Sequence, residues 1–264
     1  MAATATAAIH EPRTITDTQW QQYQRDGYLK LGKVLSDTDL CALQQRIDDI
    51  MLGKAHVDYS RLLMQLDSET GKYEDAGEQS KGHKGATLNY RKIQELEQDD
   101  LFLAYMSRPI FREICRRTYG DTAIASFRAM FMNKPARKGT FLPWHQDRWT
   151  YLNQDPQITL WTALDPATRA NGCVQIIPAS HTQGLINPSH PSGFLTPEQA
   201  AARATPDRTV YLELAAGEVA LLHNHLLHAS DVNTTDIPRR AFSVCYMRAD
   251  TQAMSGERYY TVFP

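Results

Sequence analysis

The sequence has little of several things that would settle its class at once. Its 28 Lys and Arg against 30 Asp and Glu leave a formal net charge of -2 over 264 residues, so there is no bulk positive field to hold a phosphate backbone. Nucleic acid is not an expected partner. No apolar run approaches the roughly 20 residues that a membrane helix needs. The start, MAATATAAIHEPRTI, lacks the basic head and apolar stretch of a secretory signal. No membrane association is expected, and a cytoplasmic location is the working assumption. The four cysteines, Cys41, Cys115, Cys173 and Cys245, are far apart and form no CxxC, unlike the dense spacing of a disulfide-stapled secreted domain. They read as free thiols. The chain also lacks a fixed-period repeat and any GxGxxG or GxxxxGKS phosphate loop.

What is there is a globular balance: 42% hydrophobic and 22% charged residues, which disfavours a disordered or collagen-like chain. At about 150 residues per domain the length allows one large domain. We read residues 1–264 as one domain, with a helical N-terminal part over about 14–120 and a β core over about 121–250. The alanine- and threonine-rich first dozen residues read as a loose terminus. After them, ITDTQWQQYQRDGYLKL offers Thr16 or Asp17 as a helix cap and Gly27 before an extended segment. SDTDLCALQQRIDDIML repeats the device, with Ser36 or Asp37 ahead of Leu40, Leu43, Ile47 and Ile50 at helical spacing. The stretch from Asp67 to Gly85 has little periodicity and four glycines, and is expected to be a mobile loop or a cover that orders on binding. Residues 92–119 resume a helical pattern, broken before Pro109, which can itself begin a helix.

Beyond residue 120 the period changes. IASFRAMFMN, QITLWTAL, CVQII, TVYLEL, EVALLH and RRAFSVCYM are short apolar or alternating stretches between Gly, Pro, Asn and Asp turns. No long crossover helices separate them, so an antiparallel barrel or sandwich braced by N-terminal helices is expected. The insertion from Asn187 to Asp207 holds a short helix candidate, capped by Thr196 and opened by Pro197, placed to close one mouth of the core.

The sharpest local feature is FLPWHQDRW, in which His145 and Asp147 stand two apart and can project from one face at a strand end. With a distant histidine they would make the 2-His-1-carboxylate set that binds non-haem Fe(II) and leaves positions open. Taken alone, HxD fits a surface or salt-bridge role better. The second cluster, LLHNHLLHASDVN, supplies His223, His225 and His228. Spacing does not choose among them; one is expected to be a direct ligand and the others to be held by hydrogen bonds. Further on, IPRRAFSVCYM puts Arg239 on the parity of Ala241, Ser243 and Cys245, a small-residue stripe that leaves room for a bound molecule. Arg240 shares parity with Phe242, Val244 and Tyr246. Arg239 is therefore the better clamp for a carboxylate, which a guanidinium fork pairs bidentately. The competing reading ties Arg239 into an internal salt bridge and lets Arg240 pack its stem.

Taken together, HxD, the later histidine and an arginine eleven residues beyond His228 carry more information than any one of them. The chain resembles the phytanoyl-CoA dioxygenase-like family of Fe(II)- and 2-oxoglutarate-dependent oxygenases through WHQD at 144–147, NGCVQIIPASH at 171–181 and HASDVNTTDIPR at 228–239. The resemblance implies a double-stranded β-helix, the cupin-like jelly roll. It also implies His145, Asp147 and His228 as iron ligands, Arg239 as the partner of the distal carboxylate of 2-oxoglutarate, and Ser230 beside the cosubstrate. Ala179 stands where the family usually has glycine, a change expected to alter a turn more than the chemistry.

The activity implied is a dioxygenase that hydroxylates an unactivated C–H bond of a small metabolite or natural-product intermediate, using Fe(II), 2-oxoglutarate and O2 and releasing succinate and CO2. Retention of Asp147 favours oxygen transfer over halogenation. The alternatives are a non-oxidative metalloenzyme on the same triad and a catalytically silent β-barrel binding protein; a monomer or homodimer is expected. His181 is expected in a turn hydrogen bond, and Trp144, Trp149 and Trp161 either wall the pocket or pack the core. Arg128 is carried as a further cofactor-binding candidate, able to add a charge-assisted hydrogen bond to a bound anion. Specificity is expected to lie in residues 60–90 and 182–206.

Overall fold

A computed structural model describes residues 14–264. The first dozen residues, read as a loose terminus, lie outside the described residues. The described chain contains thirteen strands: β1 Tyr28–Lys33, β2 Leu63–Leu66, β3 Ser80–Lys81, β4 Tyr90–Gln94, β5 Ile124–Met132, β6 Leu142–His145, β7 Ile158–Ala163, β8 Val174–Ile176, β9 Val210–Leu212, β10 Glu218–His223, β11 His228–Ser230, β12 Ala241–Arg248 and β13 Tyr260–Phe263. Five α-helices accompany them: α1 Asp17–Asp26, α2 Asp37–Met51, α3 Asp100–Met106, α4 Pro109–Tyr119 and α5 Pro197–Arg203.

The helix ends follow local chemistry. Thr16 caps α1 in a reciprocal box with Gln19, and Gly27 ends it at φ 78°, a left-handed conformation that suits glycine. Ser36 caps α2, Pro109 opens α4, and Thr196 forms a second box with Gln199 at α5.

All strand pairs are antiparallel. The larger sheet runs β1-β10-β7-β12-β5-β4-β2-β3, with β13 also on β5, and the smaller runs β6-β11-β8-β9. Alternation along the central strands sorts side chains to two sides. On β7, β10 and β12, Ile158, Leu160, Val219, Leu221, Phe242, Val244 and Tyr246 join the core that also holds residues of α1 to α4. Their neighbours Trp161, Ala163, Ala220, Leu222 and Ala241 pack instead with Val174, Ile176 and Leu212 of the smaller sheet. Phe131 and Phe242 are fully buried, and removing such a side chain from water stabilises by about 1.5–3 kcal/mol. Two facing sheets braced by helices on the outer side form the jelly roll expected from the sequence.

Two expectations need correction. The N-terminal part holds β1 to β4 besides α1 to α4, and these strands extend the larger sheet at both ends. The helical pattern assigned from residue 92 begins too early: Tyr90–Gln94 is a strand paired to β2 and β5, and α3 starts only at Asp100. The segment 67–85 is likewise more regular than an open loop. It carries β3, which pairs with β2, and Asp67 is buried, accepting from the Gly139 and Thr140 amides and the Thr140 hydroxyl. Among the described residues no helix is long and apolar enough to cross a membrane.

Candidate metal and cosubstrate site

Between the sheets lies a cavity of about 430 Å³, within the range of small-ligand sites. Its wall on the smaller sheet is β6 and β11, paired so that His228 stands directly opposite His145. The two imidazole rings are 4.0 Å apart between centroids. Asp147 follows β6, held by its amide to the Asn224 carbonyl at 2.8 Å. Its Oδ1 lies 3.9 Å from His145 Nε2 and its Oδ2 lies 3.8 Å from His228 Nε2. All three ligand atoms fall within 4.8 Å of one another, the one such group of His, Cys, Asp and Glu side chains found among the described residues.

The residues fit a metal in their protonation as well as their placement. His145 Nδ1 bonds the Pro143 carbonyl at 2.8 Å and His228 Nδ1 bonds the Leu226 carbonyl at 2.9 Å. A carbonyl oxygen only accepts, so each Nδ1 carries the proton and each Nε2 presents a lone pair toward Asp147. Burial, with the neighbouring His228 adding to it, lowers the His145 pKa to about 3, keeping that imidazole neutral. Gln146 between the ligands points away and ties down the insertion: its side-chain amide donates to Gly184 O and His225 O and accepts from Ile186 N–H. Gly193 is required in this packing, because a Cβ there would lie 2.0 Å from the Gln146 carbonyl oxygen and its φ is +67°.

The other histidines of the second cluster are engaged elsewhere. His223 Nδ1 accepts from the His225 amide at 3.0 Å, and His225 Nε2 faces Asp155 at 3.6 Å. His181 bonds the Gln24 carbonyl of α1 through Nε2, a long-range contact in place of the turn hydrogen bond expected for it. Ala179 adopts φ 62°, a left-handed conformation for a residue with a Cβ, so the turn keeps the shape that glycine favours.

Arg239 is 3% exposed and lines the cavity with Ser230 and Ser243. Its guanidinium lies over Trp161 at 5.4 Å, and among the described residues its Nε and Nη1 have no hydrogen-bond partner. Burial lowers its pKa to about 10, which leaves it a cation. The internal salt bridge weighed for Arg239 belongs to Arg240, which forks onto both Asp165 oxygens at 2.8 Å and reaches Asp48 at 2.6 Å. An unpaired buried guanidinium costs free energy unless something anionic meets it.

Arg128, Trp149 and Trp161 also line the cavity. Arg128 lies over the rings of Phe127 and Trp149 at 4.9 and 5.1 Å. The two covering segments meet at the mouth, where Tyr73 and Phe194 approach to 5.2 Å and Phe194 stacks on His145 at 4.9 Å. Sequence reasoning missed Lys92, Thr159 and Asn224. Lys92 lines the cavity, and burial, with Arg91 and Arg128 adding to it, lowers its pKa to about 7. Reading YRKIQ as a strand would have turned it inward. The Thr159 hydroxyl donates to Asn224 Oδ1 at 2.7 Å, and the Asn224 amide donates to the Cys245 sulfur at 3.3 Å; no motif marked them.

The phytanoyl-CoA dioxygenase (PhyH) family model matches residues 23–241. A probable phytanoyl-CoA dioxygenase of Caenorhabditis elegans is 26% identical over 91% of this chain and 78% of that protein. The peroxisomal phytanoyl-CoA dioxygenase of Homo sapiens is 24% identical over 89% of this chain and 69% of its own length. Among solved structures, EctD from S. alaskensis with 2-oxoglutarate and 5-hydroxyectoine superposes with a TM-score of 0.70 at 20% identity, covering 90% of this chain and 78% of EctD. The non-heme alpha ketoglutarate dependent carbocyclase SnoK gives 0.66 at 19%, covering 92% and 87%. The match over most of the chain, on a fold and a His-Asp-His cluster of this kind, places the protein in the phytanoyl-CoA dioxygenase family of Fe(II)- and 2-oxoglutarate-dependent dioxygenases.

Proposed function

We propose that this chain hydroxylates an unactivated C–H bond of a small metabolite or natural-product intermediate, consuming 2-oxoglutarate and O2 and releasing succinate and CO2. The observation that carries the reading is the pairing of an open His-Asp-His cluster with an unpartnered, buried Arg239 in one cavity. His145, Asp147 and His228 would hold Fe(II). Arg239 would take the distal carboxylate of 2-oxoglutarate, with Ser230 beside it. Iron with this cosubstrate supplies the oxidising chemistry, in which one atom of O2 goes to succinate and the other to the substrate C–H bond as CO2 leaves.

The chain's own residues supply position and exclusion. The Pro143 and Leu226 carbonyls fix the imidazole tautomers, so the ligand nitrogens are ready without reorganisation. Trp161 under Arg239 holds the guanidinium in place. Phe194, stacked on His145 and touching Tyr73, keeps water from one side of the cluster. The test is oxygen uptake and succinate formation by purified protein, with and without Fe(II) and 2-oxoglutarate, including the slow turnover that proceeds without a substrate. Succinate that requires both, and that disappears in His145→Ala, supports the reading. A folded protein that binds 2-oxoglutarate but never yields succinate contradicts it.

A further inference from the structure

The cavity contains more positive charge than the cosubstrate chemistry uses. A divalent ion, one carboxylate ligand, a dicarboxylate cosubstrate and the Arg239 cation together come to neutrality. Arg128 is left over, with Lys92 and Arg148 also on the lining; Arg148 is tied to the Pro188 carbonyl and burial lowers the Lys92 pKa to about 7. The Arg128 side chain lines the cavity, and among the described residues its guanidinium makes no hydrogen bond or ion pair. Phe127 and Trp149, packed edge-on against each other, both contact the guanidinium, an attraction that restrains it without using its N–H donors.

The register separates this cation from Arg239. Just before β12, Arg239 pairs with Lys134, whereas Arg128 pairs with Cys245, six residues further along the chain. At about 3.3 Å per residue their backbones stand roughly 20 Å apart along the strand direction, so the two side chains enter the one cavity from different ends. At the Arg128 position Cys245 pairs in turn with Thr159, and all three residues line the cavity. The same end holds Asn224, whose carbonyl fixes the Asp147 amide and whose side chain meets both Thr159 and Cys245. Arg128 therefore stands on the Asp147 side of the cluster, with open cavity beside it.

We infer that the substrate is a small carboxylic acid whose carboxylate is received by Arg128, and that Phe127 and Trp149 hold that guanidinium ready for bidentate pairing. The inference rests on the dioxygenase reading above and deepens it: the anion that the sequence suggested for the cofactor is the substrate's own.

The test uses the full chain as wild type, Arg128→Gln, Arg128→Lys and Arg239→Met. Calorimetry under argon first measures 2-oxoglutarate binding to the Fe(II)-loaded proteins. Wild type and Arg128→Gln should agree within about twofold, and Arg239→Met should weaken by about tenfold or more. A panel of L-proline, 4-methylpentanoate and cyclohexanecarboxylate is then compared with the matching primary amides and with hexyl phosphate, by calorimetry on the loaded protein and by stimulated succinate release. At least one acid should bind about tenfold more tightly than its amide in wild type, lose that preference in Arg128→Gln and regain part of it in Arg128→Lys. Loss of 2-oxoglutarate binding in Arg128→Gln comparable to that in Arg239→Met assigns the cation to the cosubstrate and overturns the inference. Equal response to acids and amides, including no response to either, or preference for the phosphate, also overturns it. Failure of wild type to bind 2-oxoglutarate at all instead removes the dioxygenase reading.

Discussion

Arg239 and Arg240 are neighbours in the chain and opposites in partnership: Arg240 is locked to Asp165 and Asp48, while Arg239, buried and facing the cavity, leaves Nε and Nη1 unpaired. Strand parity produces the split. One face of β12 and the segment leading into it carries Arg239, Ser243 and Cys245 to the cavity, and the other carries Phe242, Val244 and Tyr246 to the core beneath the helices. The difference makes Arg239→Met an informative variant. Removing an unpaired buried charge should leave the apo protein as stable or up to about 1 kcal/mol more stable, while 2-oxoglutarate binding drops. Urea melts of the apo proteins check the first part, and destabilisation by several kcal/mol would show that Arg239 is structural.

Asp165→Ala should act in the opposite way. It removes two of the contacts of the Arg240 guanidinium and leaves the one to Asp48, so the loss should be about 1–3 kcal/mol, below the cost of a fully stranded charge. A loss under about 1 kcal/mol in urea unfolding would contradict the view that this pair closes the end of the sheet.

The histidine cluster divides by partner. His145→Ala should weaken Fe(II) binding by more than the roughly 10–100-fold typical of outer partners, whereas His225→Ala, whose ring faces Asp155, should stay within a few fold. Calorimetric Fe(II) titration under argon checks both. Greater loss in His225→Ala would move the metal site.

Acid should destabilise the apo protein through histidines that stay neutral when folded. Burial holds His223 at about 4 against an ordinary 6.5. Between these values the unfolded chain takes up a proton that the folded chain refuses, so stability falls as pH drops from about 6.5 to about 4. His223→Gln should make the urea midpoint less dependent on pH across that window; an unchanged slope would reject this origin.

Thiol chemistry should follow burial. Cys115, Cys173 and Cys245 are buried, and burial pushes the Cys173 and Cys245 thiols up to about 12. Exposed Cys41 alone should react with iodoacetamide at pH 8 in the native protein, and all four in denaturant. Rapid native labelling at Cys245 would contradict a closed floor of the cavity.

Much of this arrangement is written in short-range chemistry. Thr16, Ser36, Pro109 and Thr196 mark helix starts because capping depends on a few neighbouring atoms. HxD and the parity of Arg239 point to the cavity because strand alternation is fixed by the backbone. Lys92 was hidden for the opposite reason: a five-residue strand followed by a turn and helix has too little period of its own, and its state is set by pairing with β2 and β5. Phe194 likewise reaches His145 only because the insertion folds back, with Gly193 against Gln146 and a bridge from Phe194 to His145. No spacing within residues 187–207 encodes that return. Which of His223, His225 and His228 joins the cluster was also beyond spacing; the pairing of His228 with His145 across β6 and β11 distinguishes it.

The most direct test of the central claim is anaerobic titration of the apo protein with Fe(II) and then 2-oxoglutarate, following the weak visible charge-transfer band of the chelate. The account predicts a saturable band in wild type, none in His145→Ala, and in Arg239→Met a titration displaced to about tenfold higher 2-oxoglutarate or beyond. Iron binding without any band, or an Arg239→Met titration that overlays the wild type, would contradict it.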